Sequence, residues 1–129
     1  MGREVVKAAK APQPVGPYSP GIMANGFLFV SGQGALDPST GKLAGADIES
    51  QTRQVLNNVR NIVEASGLSM RDLVRVSVYL KNIQDFKKMN EVYKSFFSEA
   101  PPARTTVQAE MPLPDMLIII DAIAAKSSP

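Results

Sequence analysis

Arg104 is the residue of this sequence best suited to bind a small anion. It follows Pro101-Pro102, and two consecutive prolines restrict the backbone that leads into the next segment. Its guanidinium is a planar fork of donors that matches a carboxylate, and a hydrogen bond to such a charged group contributes about 1.5–3 kcal/mol. The spacing therefore makes Arg104 a candidate carboxylate-binding residue. A surface arginine in an ion pair is the commoner arrangement and stays an alternative.

Two loops rich in glycine and proline supply further candidates. Tyr18 lies in Gly16-Pro17-Tyr18-Ser19-Pro20, where the prolines stiffen the chain, so its ring can close over a ligand or cover the edge of the core. Ser31-Gly32-Gln33-Gly34 follows the apolar segment 27–30, and its glycines allow a ligand to approach the backbone. This stretch lacks the spacing of a phosphate-binding fingerprint. Each loop is a weak signal by itself.

The amino acids that the chain lacks restrict its chemistry severely. The 129 residues include no His, no Cys and no Trp. Their absence excludes Ser-His-Asp and Cys-His catalysis, disulfides, and zinc sites built from His or Cys. The 14 Lys and Arg residues and the 12 Asp and Glu residues are scattered, without the basic stripe of a nucleic-acid surface. We expect a small-molecule partner and no nucleic acid.

The sequence predicts neither a membrane span nor a secretion signal. The longest purely apolar run covers residues 116–120, far below the roughly 20 residues needed to cross a bilayer. The basic residues near the N-terminus are not followed by the apolar stretch of a secretory signal. We therefore expect a cytoplasmic protein with a single domain over residues 1–129.

The candidates are predicted to lie on strands and helices in the order β-β-β-α-β-α-β-β. Val5-Val6 indicates a short first strand, and Asn25-Gly26 predicts a hairpin turn into the strand 27–30. Asp47 is the predicted cap of a helix that Gly67 ends. Its apolar face consists of Ile48, Val55, Leu56, Val59, Ile62 and Val63, with Gln51, Arg53, Asn57, Arg60 and Glu64 expected on the other side.

The second half of the chain predicts three more strands and one helix. The strands are expected at 73–80, 105–110 and 117–124, and Asp85 is expected to cap the helix, which Pro101-Pro102 cannot continue. Strands with helices on one face form an α+β domain, whose open sheet face oligomerisation would cover. The core side is expected to hold Val74, Val76, Val78 and Leu80 of the first of these strands, and Phe86, Met89, Tyr93, Phe96 and Phe97 of the helix.

A set of short motifs spread over nearly the whole chain resembles the RidA (YjgF-type) family of reactive imine deaminases. The resemblance lies in their order and spacing together, which is far more specific than any one of them. The motifs are Gly16-Pro17-Tyr18-Ser19, Val30-Ser31-Gly32-Gln33, Asp37-Pro38 with Gly41, Asn57-Asn58-Val59, Asp85-Phe86 with Asn90 and Tyr93, Pro102-Ala103-Arg104, and Asp121-Ala122-Ile123-Ala124.

This resemblance implies a bacillus-type, chorismate-mutase-like α+β fold with two helices on one face of a mixed sheet. It also implies a homotrimer with ligand clefts between subunits. The implied reaction is hydrolysis of 2-imino acids, such as 2-iminobutanoate and 2-iminopropanoate, to 2-keto acids and ammonia without a metal or an organic cofactor. The implied site contains Arg104 on the substrate carboxylate, Tyr18 closing the pocket, the backbone of Ser31 and Gly32 against the substrate, and Asn90 and Thr106 in the lining.

The last strand departs from the family pattern. Active deaminases of the family carry two acidic residues there, spaced by two, and the first is expected to hold the attacking water. Ile119 occupies that first position, so the remaining acid is Asp121, which lies roughly 7 Å further along the same strand face. Losing a positioned acid or base costs about 10²–10⁴ in rate. We therefore expect carboxylate binding with deamination that is weak or absent. Asp121 is expected to take a catalytic role only through a shifted substrate or a bridging water, and Ile119 is expected among the substrate-binding residues.

Two other functions stay open from the sequence. One is a non-catalytic trimeric protein that binds small carboxylates. The other is a translation inhibitor with ribonuclease activity, as described for some members of the family, although a chain without His and without a basic stripe offers little for RNA cleavage.

Overall fold

Six strands and two helices make up the fold, which a computed structural model describes for residues 2–127. Two short 3-10 turns, Met70–Asp72 and Ile83–Asp85, precede the fourth strand and the second helix. The predicted order of strands and helices is confirmed. The elements are β1 (Arg3–Val6), β2 (Gly21–Ala24), β3 (Phe27–Gln33), α1 (Ile48–Ala65), β4 (Leu73–Leu80), α2 (Phe86–Lys94), β5 (Ala103–Gln108) and β6 (Ile118–Ala125).

The strands form one mixed sheet in the order β1-β2-β3-β6-β4-β5. Only β4 and β5 pair in parallel, and α2 lies in the connection between them, as parallel pairing requires a crossover. Asn25 and Gly26 have positive φ angles of 53° and 81°, which confirms the predicted hairpin turn between β2 and β3. The expected mixed sheet with two helices on one face is also confirmed.

Helix α1 supplies the largest part of the core. Asp47 caps it as predicted, since its carboxylate accepts a hydrogen bond from the Ser50 amide at 2.7 Å. All six predicted apolar residues of α1 are buried. The expectation for the polar side is wrong at Gln51, which is fully buried because its side chain bonds the loops that flank the sheet.

A bulge changes the expected face of one residue in β4. The register with β6 shifts between Leu73 and Arg75, so Leu73 points into the core and Val74 is 46% exposed. The prediction that Val74 faces the core is therefore wrong, because an extra residue in a strand reverses the alternation on one side of it. Beyond the bulge, Val76 and Val78 are buried as expected.

The second helix starts differently from the prediction. Asp85 makes no side-chain capping bond, and Asn82 instead accepts a hydrogen bond from the Gln84 amide at 2.9 Å at the start of the 3-10 turn. Phe86, expected in the core, is 42% exposed, while Met89 and Tyr93 are buried as predicted. The last two strands lie within one or two residues of their expected positions, at 103–108 and 118–125.

The sheet face opposite the helices is open and largely apolar. Phe27 and Phe29 of β3 are 43% and 45% exposed, and Val5 and Val107 are similarly exposed near the two ends of the sheet. Within residues 2–127, no helix is long and apolar enough to cross a membrane. The open face thus presents apolar side chains that the single chain leaves uncovered.

Candidate functional site

Arg104 lies on β5 and stacks on aromatic side chains of α2. Its guanidinium carbon is 4.6 Å from the centre of the Tyr93 ring and 5.7 Å from that of Phe86. The ring faces attract the cation and fix its position. No carboxylate of residues 2–127 lies within ion-pair distance of it, whereas the nearby Lys94 pairs with Glu91 at 2.8 Å. Within the described residues, Arg104 therefore has no carboxylate partner with which to form the surface ion pair considered as an alternative.

A cleft of about 340 Å³ opens beside this arginine. Pro101 and Pro102 form one wall, and residues of α2 form the other. The aromatic wall includes Phe97, whose ring packs 4.7 Å from that of Tyr93. The volume suits a small organic acid, and the guanidinium is the cationic group within the cleft that lacks a carboxylate partner.

Three buried polar atoms around Arg104 have no hydrogen-bond partner: Oδ1 of Asn90, the hydroxyl of Tyr93 and Oγ1 of Thr106. Asn90 and Tyr93 line the cleft, and Thr106 lies two residues beyond Arg104 on the same side of β5. Burial raises the pKa of Tyr93, and the positive charge of Arg104 opposes this effect. Buried polar groups are normally paired, so three such atoms beside one arginine mark this cluster as a candidate site.

The two predicted loops meet at a different place. The Ser31 hydroxyl donates to the Ser19 carbonyl at 2.5 Å, which ties the strand end to the loop that carries Tyr18. Tyr18 is 45% exposed, and its hydroxyl accepts a hydrogen bond from the Val15 amide at 3.3 Å. A side chain at Gly32 would start 3.0 Å from Cγ2 of Ile119, so the glycine permits this close packing. Tyr18, Ser31, Gly32 and Ile119 therefore form a second cluster.

Asp121 belongs to the same face as Ile119 and accepts a hydrogen bond from Tyr79. The Tyr79 hydroxyl lies 3.0 Å from Oδ2 of Asp121. This bond to the carboxylate, with burial and the nearby negative charge, raises the pKa of Tyr79. Asp121 is opposite Ser77 in the register of β4 and β6, and neither residue belongs to the core. Tyr79 is two residues beyond Ser77, so it lies on the same open face of the sheet as Asp121.

The sheet separates the two clusters within one chain. Val76 of β4 is opposite Arg104 on one side and Ala122 on the other, and all three share the face that the helices cover. Asp121 precedes Ala122 on β6 and therefore points to the opposite face. Of the residues expected in the site, the structure brings Asn90, Thr106 and Arg104 together, and it brings Tyr18, Ser31, Gly32, Ile119 and Asp121 to the other side of the sheet.

Sequence reasoning missed two contributors. Phe86 was expected in the core but stacks on the Arg104 guanidinium. Tyr79 is not among the predicted site residues, although the alternation along β4 and β6 puts it on the face of Asp121, to which its hydroxyl donates. Among residues 2–127, no group of three or more His, Cys, Asp or Glu side chains is arranged to hold a metal ion.

The fold and the two clusters define an α+β protein with a candidate binding site for a small carboxylic acid. The profile of the family described as Endoribonuclease L-PSP matches residues 8–126. The chain belongs to this family, and the resemblance to RidA (YjgF-type) proteins is confirmed.

Relatives match over almost the whole chain. A RutC family protein of Pyrococcus horikoshii is 50% identical over 124 residues, which cover 96% of this chain and 98% of the relative. The chloroplastic Reactive Intermediate Deaminase A of Arabidopsis thaliana is 43% identical over 95% of this chain and 65% of its own length.

Solved structures show the same fold. The crystal structure of TdcF from E. coli with bound serine superposes with a TM-score of 0.91 at 38% identity, covering 96% of this chain and 99% of that one. The structure of RidA from the Antarctic bacterium Psychrobacter has a TM-score of 0.90 at 34% identity and covers 95% and 98% of the two chains.

Proposed function

We propose that this protein hydrolyses reactive 2-imino acids, such as 2-iminobutanoate and 2-iminopropanoate, to 2-keto acids and ammonia. The observation that carries the proposal is the Arg104 guanidinium, held against Tyr93 in a cleft and free of any carboxylate in the described chain. The substrate carboxylate would take the place of that missing anion. The plant relative named a reactive intermediate deaminase supports the reaction class.

The reaction needs orientation and a water molecule. Water adds to the imine carbon, and one of its protons passes to the nitrogen. The hydroxyl proton of the resulting carbinolamine then passes to the amino group as the carbon–nitrogen bond breaks, which releases ammonia and leaves the keto acid. Holding the reactants in a reactive geometry accounts for much of such a rate enhancement, and it requires no His, Cys or metal. In this proposal Arg104 binds the carboxylate, Asn90 and Thr106 complete its polar surroundings, and Asp121 accepts the proton of the attacking water and passes it to the imine nitrogen.

The complete site requires more than one copy of the chain in this proposal. Arg104 and Asp121 point to opposite faces of the sheet, so one copy supplies the Arg104 cleft and a neighbour supplies Tyr18, Gly32 and Asp121. We propose the homotrimer that the family resemblance implies. The open apolar face with Phe29 supplies the surface that such an assembly would bury.

Ile119 lowers the expected rate. Its side chain contacts Gly32 where the family pattern has an acid, so the water has one carboxylate beside it in place of two. An apolar group at this position supplies neither an acceptor nor a charge. We therefore propose that Arg104-dependent binding is retained and that turnover is slow.

The experiment is an assay in which an amino acid oxidase generates the imino acid and the purified protein competes with a trapping amine. The expected result is protein-dependent disappearance of the imine, which Arg104→Ala abolishes. If the wild-type protein leaves the imine lifetime unchanged, the deaminase proposal is wrong. Saturable binding of 2-oxobutanoate without turnover would instead establish the second candidate, a carboxylate-binding protein, which the apolar Ile119 favours.

A further inference from the structure

Tyr79 has a hydroxyl in contact with Asp121 and no part in the reaction described so far. It lies on β4 directly opposite Ile119 of β6, while Asp121 is directly opposite Ser77. The Tyr79 side chain thus reaches diagonally across the strand pair, past Ile119, to put its hydroxyl 3.0 Å from Oδ2 of Asp121. The contact joins the residue beside the apolar position to the acid two residues further on.

The bond from Tyr79 leaves Oδ1 of the Asp121 carboxylate free to accept another hydrogen bond. Oδ2 accepts from Tyr79, and residues 2–127 supply no donor to Oδ1. A hydrogen bond to one oxygen restrains the rotation of the carboxylate, and the other oxygen keeps its acceptor capacity. Asp121 is one methylene shorter than glutamate, so the direction of its free oxygen decides whether it reaches a water beside the substrate.

We propose that Tyr79 is a positioning residue, whose hydroxyl holds Oδ2 of Asp121 so that Oδ1 faces the water that attacks the imine. Tyr79 also partly offsets Ile119, because its hydroxyl is a polar group on the same sheet face where the neighbouring position is apolar. This inference rests on the proposed deaminase function and on the role of Asp121 in it. It assigns Tyr79 no contact with the substrate.

The test is the substitution Tyr79→Phe, which removes the hydroxyl and keeps the ring. We expect kcat for imine hydrolysis to fall about 10-fold, less than the roughly 10²-fold or greater loss for a group that transfers the proton itself. We expect KM to stay close to wild type, because Tyr79 makes no contact with the substrate, whose carboxylate Arg104 binds. In an Asp121→Asn background, Tyr79→Phe should cause no further loss, since residues that act through one another are not additive.

Thr105→Val is the matched control, because it also removes a hydroxyl from the open sheet face. The Thr105 hydroxyl accepts a hydrogen bond from Arg75 at 2.6 Å and does not contact Asp121. If the wild-type protein turns over imine and Tyr79→Phe behaves like Thr105→Val, the positioning role is wrong while the deaminase proposal stands. An equal loss from Tyr79→Phe in the wild-type and Asp121→Asn backgrounds would also overturn it. If the wild type does not hydrolyse imine at all, the proposed function and this inference fail together.

Discussion

The guanidinium carbon of Arg104 lies 4.6 Å from the centre of the Tyr93 ring, so an aromatic face and not a carboxylate neighbours this charge. The arginine is thereby held in position without being neutralised. A cation stabilised by a ring keeps its hydrogen-bond donors for another partner. This relationship distinguishes Arg104 from Lys94, whose charge is already paired with Glu91.

Arg104→Lys should weaken binding of 2-oxobutanoate by about 1.5–3 kcal/mol, which corresponds to roughly 10- to 150-fold in Kd. The ammonium group keeps the charge but loses the bidentate fork that fits a carboxylate. Isothermal titration calorimetry measures the change. Arg60→Lys is the control, since Arg60 stacks on Phe96 at 5.4 Å outside the cleft and should bind like wild type. Equal affinities for all three proteins would contradict the assignment.

Ile119→Glu should raise kcat for imine hydrolysis by about 10-fold or more, because it restores an acceptor of the kind whose loss costs about 10²–10⁴ in rate. The imine-trapping assay measures it. The control is Ile119→Gln, because glutamine has nearly the same shape as glutamate but no charge, and this variant should give little gain in kcat. The view that Ile119 limits the reaction would not survive a fast wild-type enzyme on which Ile119→Glu has no effect.

Phe29→Asp should dissociate the proposed trimer into monomers. The side chain is 45% exposed in the single chain and lies on the open sheet face, where a buried charge in an interface would have no partner. Light scattering coupled to size-exclusion chromatography gives the mass. Leu113→Asp, at a comparably exposed position in a loop, should leave the mass unchanged. A monomeric wild type would contradict both the trimer and the shared site.

Asp121→Asn should lower the pKa of Tyr79. The wild-type pKa is raised above the ordinary 10.0, chiefly because the hydroxyl donates to Asp121, so the folded state retains a proton that the unfolded chain loses. This contribution to stability is complete below pH 10 and is lost as the pH rises through the folded-state pKa. Ultraviolet titration of the tyrosines follows the change. Asp115→Asn is the control, and indistinguishable titration curves for the two variants would refute the contact.

Gln51→Leu should lower the free energy of unfolding by at least about 2 kcal/mol, because each buried group left unpaired costs about 1–3 kcal/mol. The Gln51 amide donates to the carbonyls of Gly45 and Asp115, and its oxygen accepts from the Leu117 amide at 2.8 Å. Urea unfolding measures the loss. Arg53→Leu, on the exposed side of the same helix, should change stability little, and similar losses for both would contradict the inferred role of these bonds.

The sequence predicted well those features that depend on local periodicity. The stripe from Ile48 to Val63 fixed both the position of α1 and its buried face, since a helix of 3.6 residues per turn leaves little choice. Gln51 was misplaced because its burial depends on carbonyls of Gly45 and Asp115, and the latter lies 64 residues away. Val74 was misplaced because a bulge depends on how a partner strand is paired.

The candidate site was predictable as a set of residues but not as an arrangement. Motif spacing selected Arg104 and Asp121, but whether two side chains share a face of the sheet depends on the register of three neighbouring strands. Stacking of Phe86 on Arg104 was missed for a similar reason, since a helical stripe does not show where the core ends.

The central place of β6 has a consequence for how the chain folds. This strand comes after all the others in the chain, yet it pairs with β3 on one side and β4 on the other, so it joins the two halves of the sheet. Phe27, for example, is paired with Ala125, which follows it by 98 residues in the chain. During synthesis, the hairpin and the β4–β5 pair each have an unpaired edge until β6 is made. Such an edge is prone to pairing with another chain, so this period is when the protein is most exposed to aggregation.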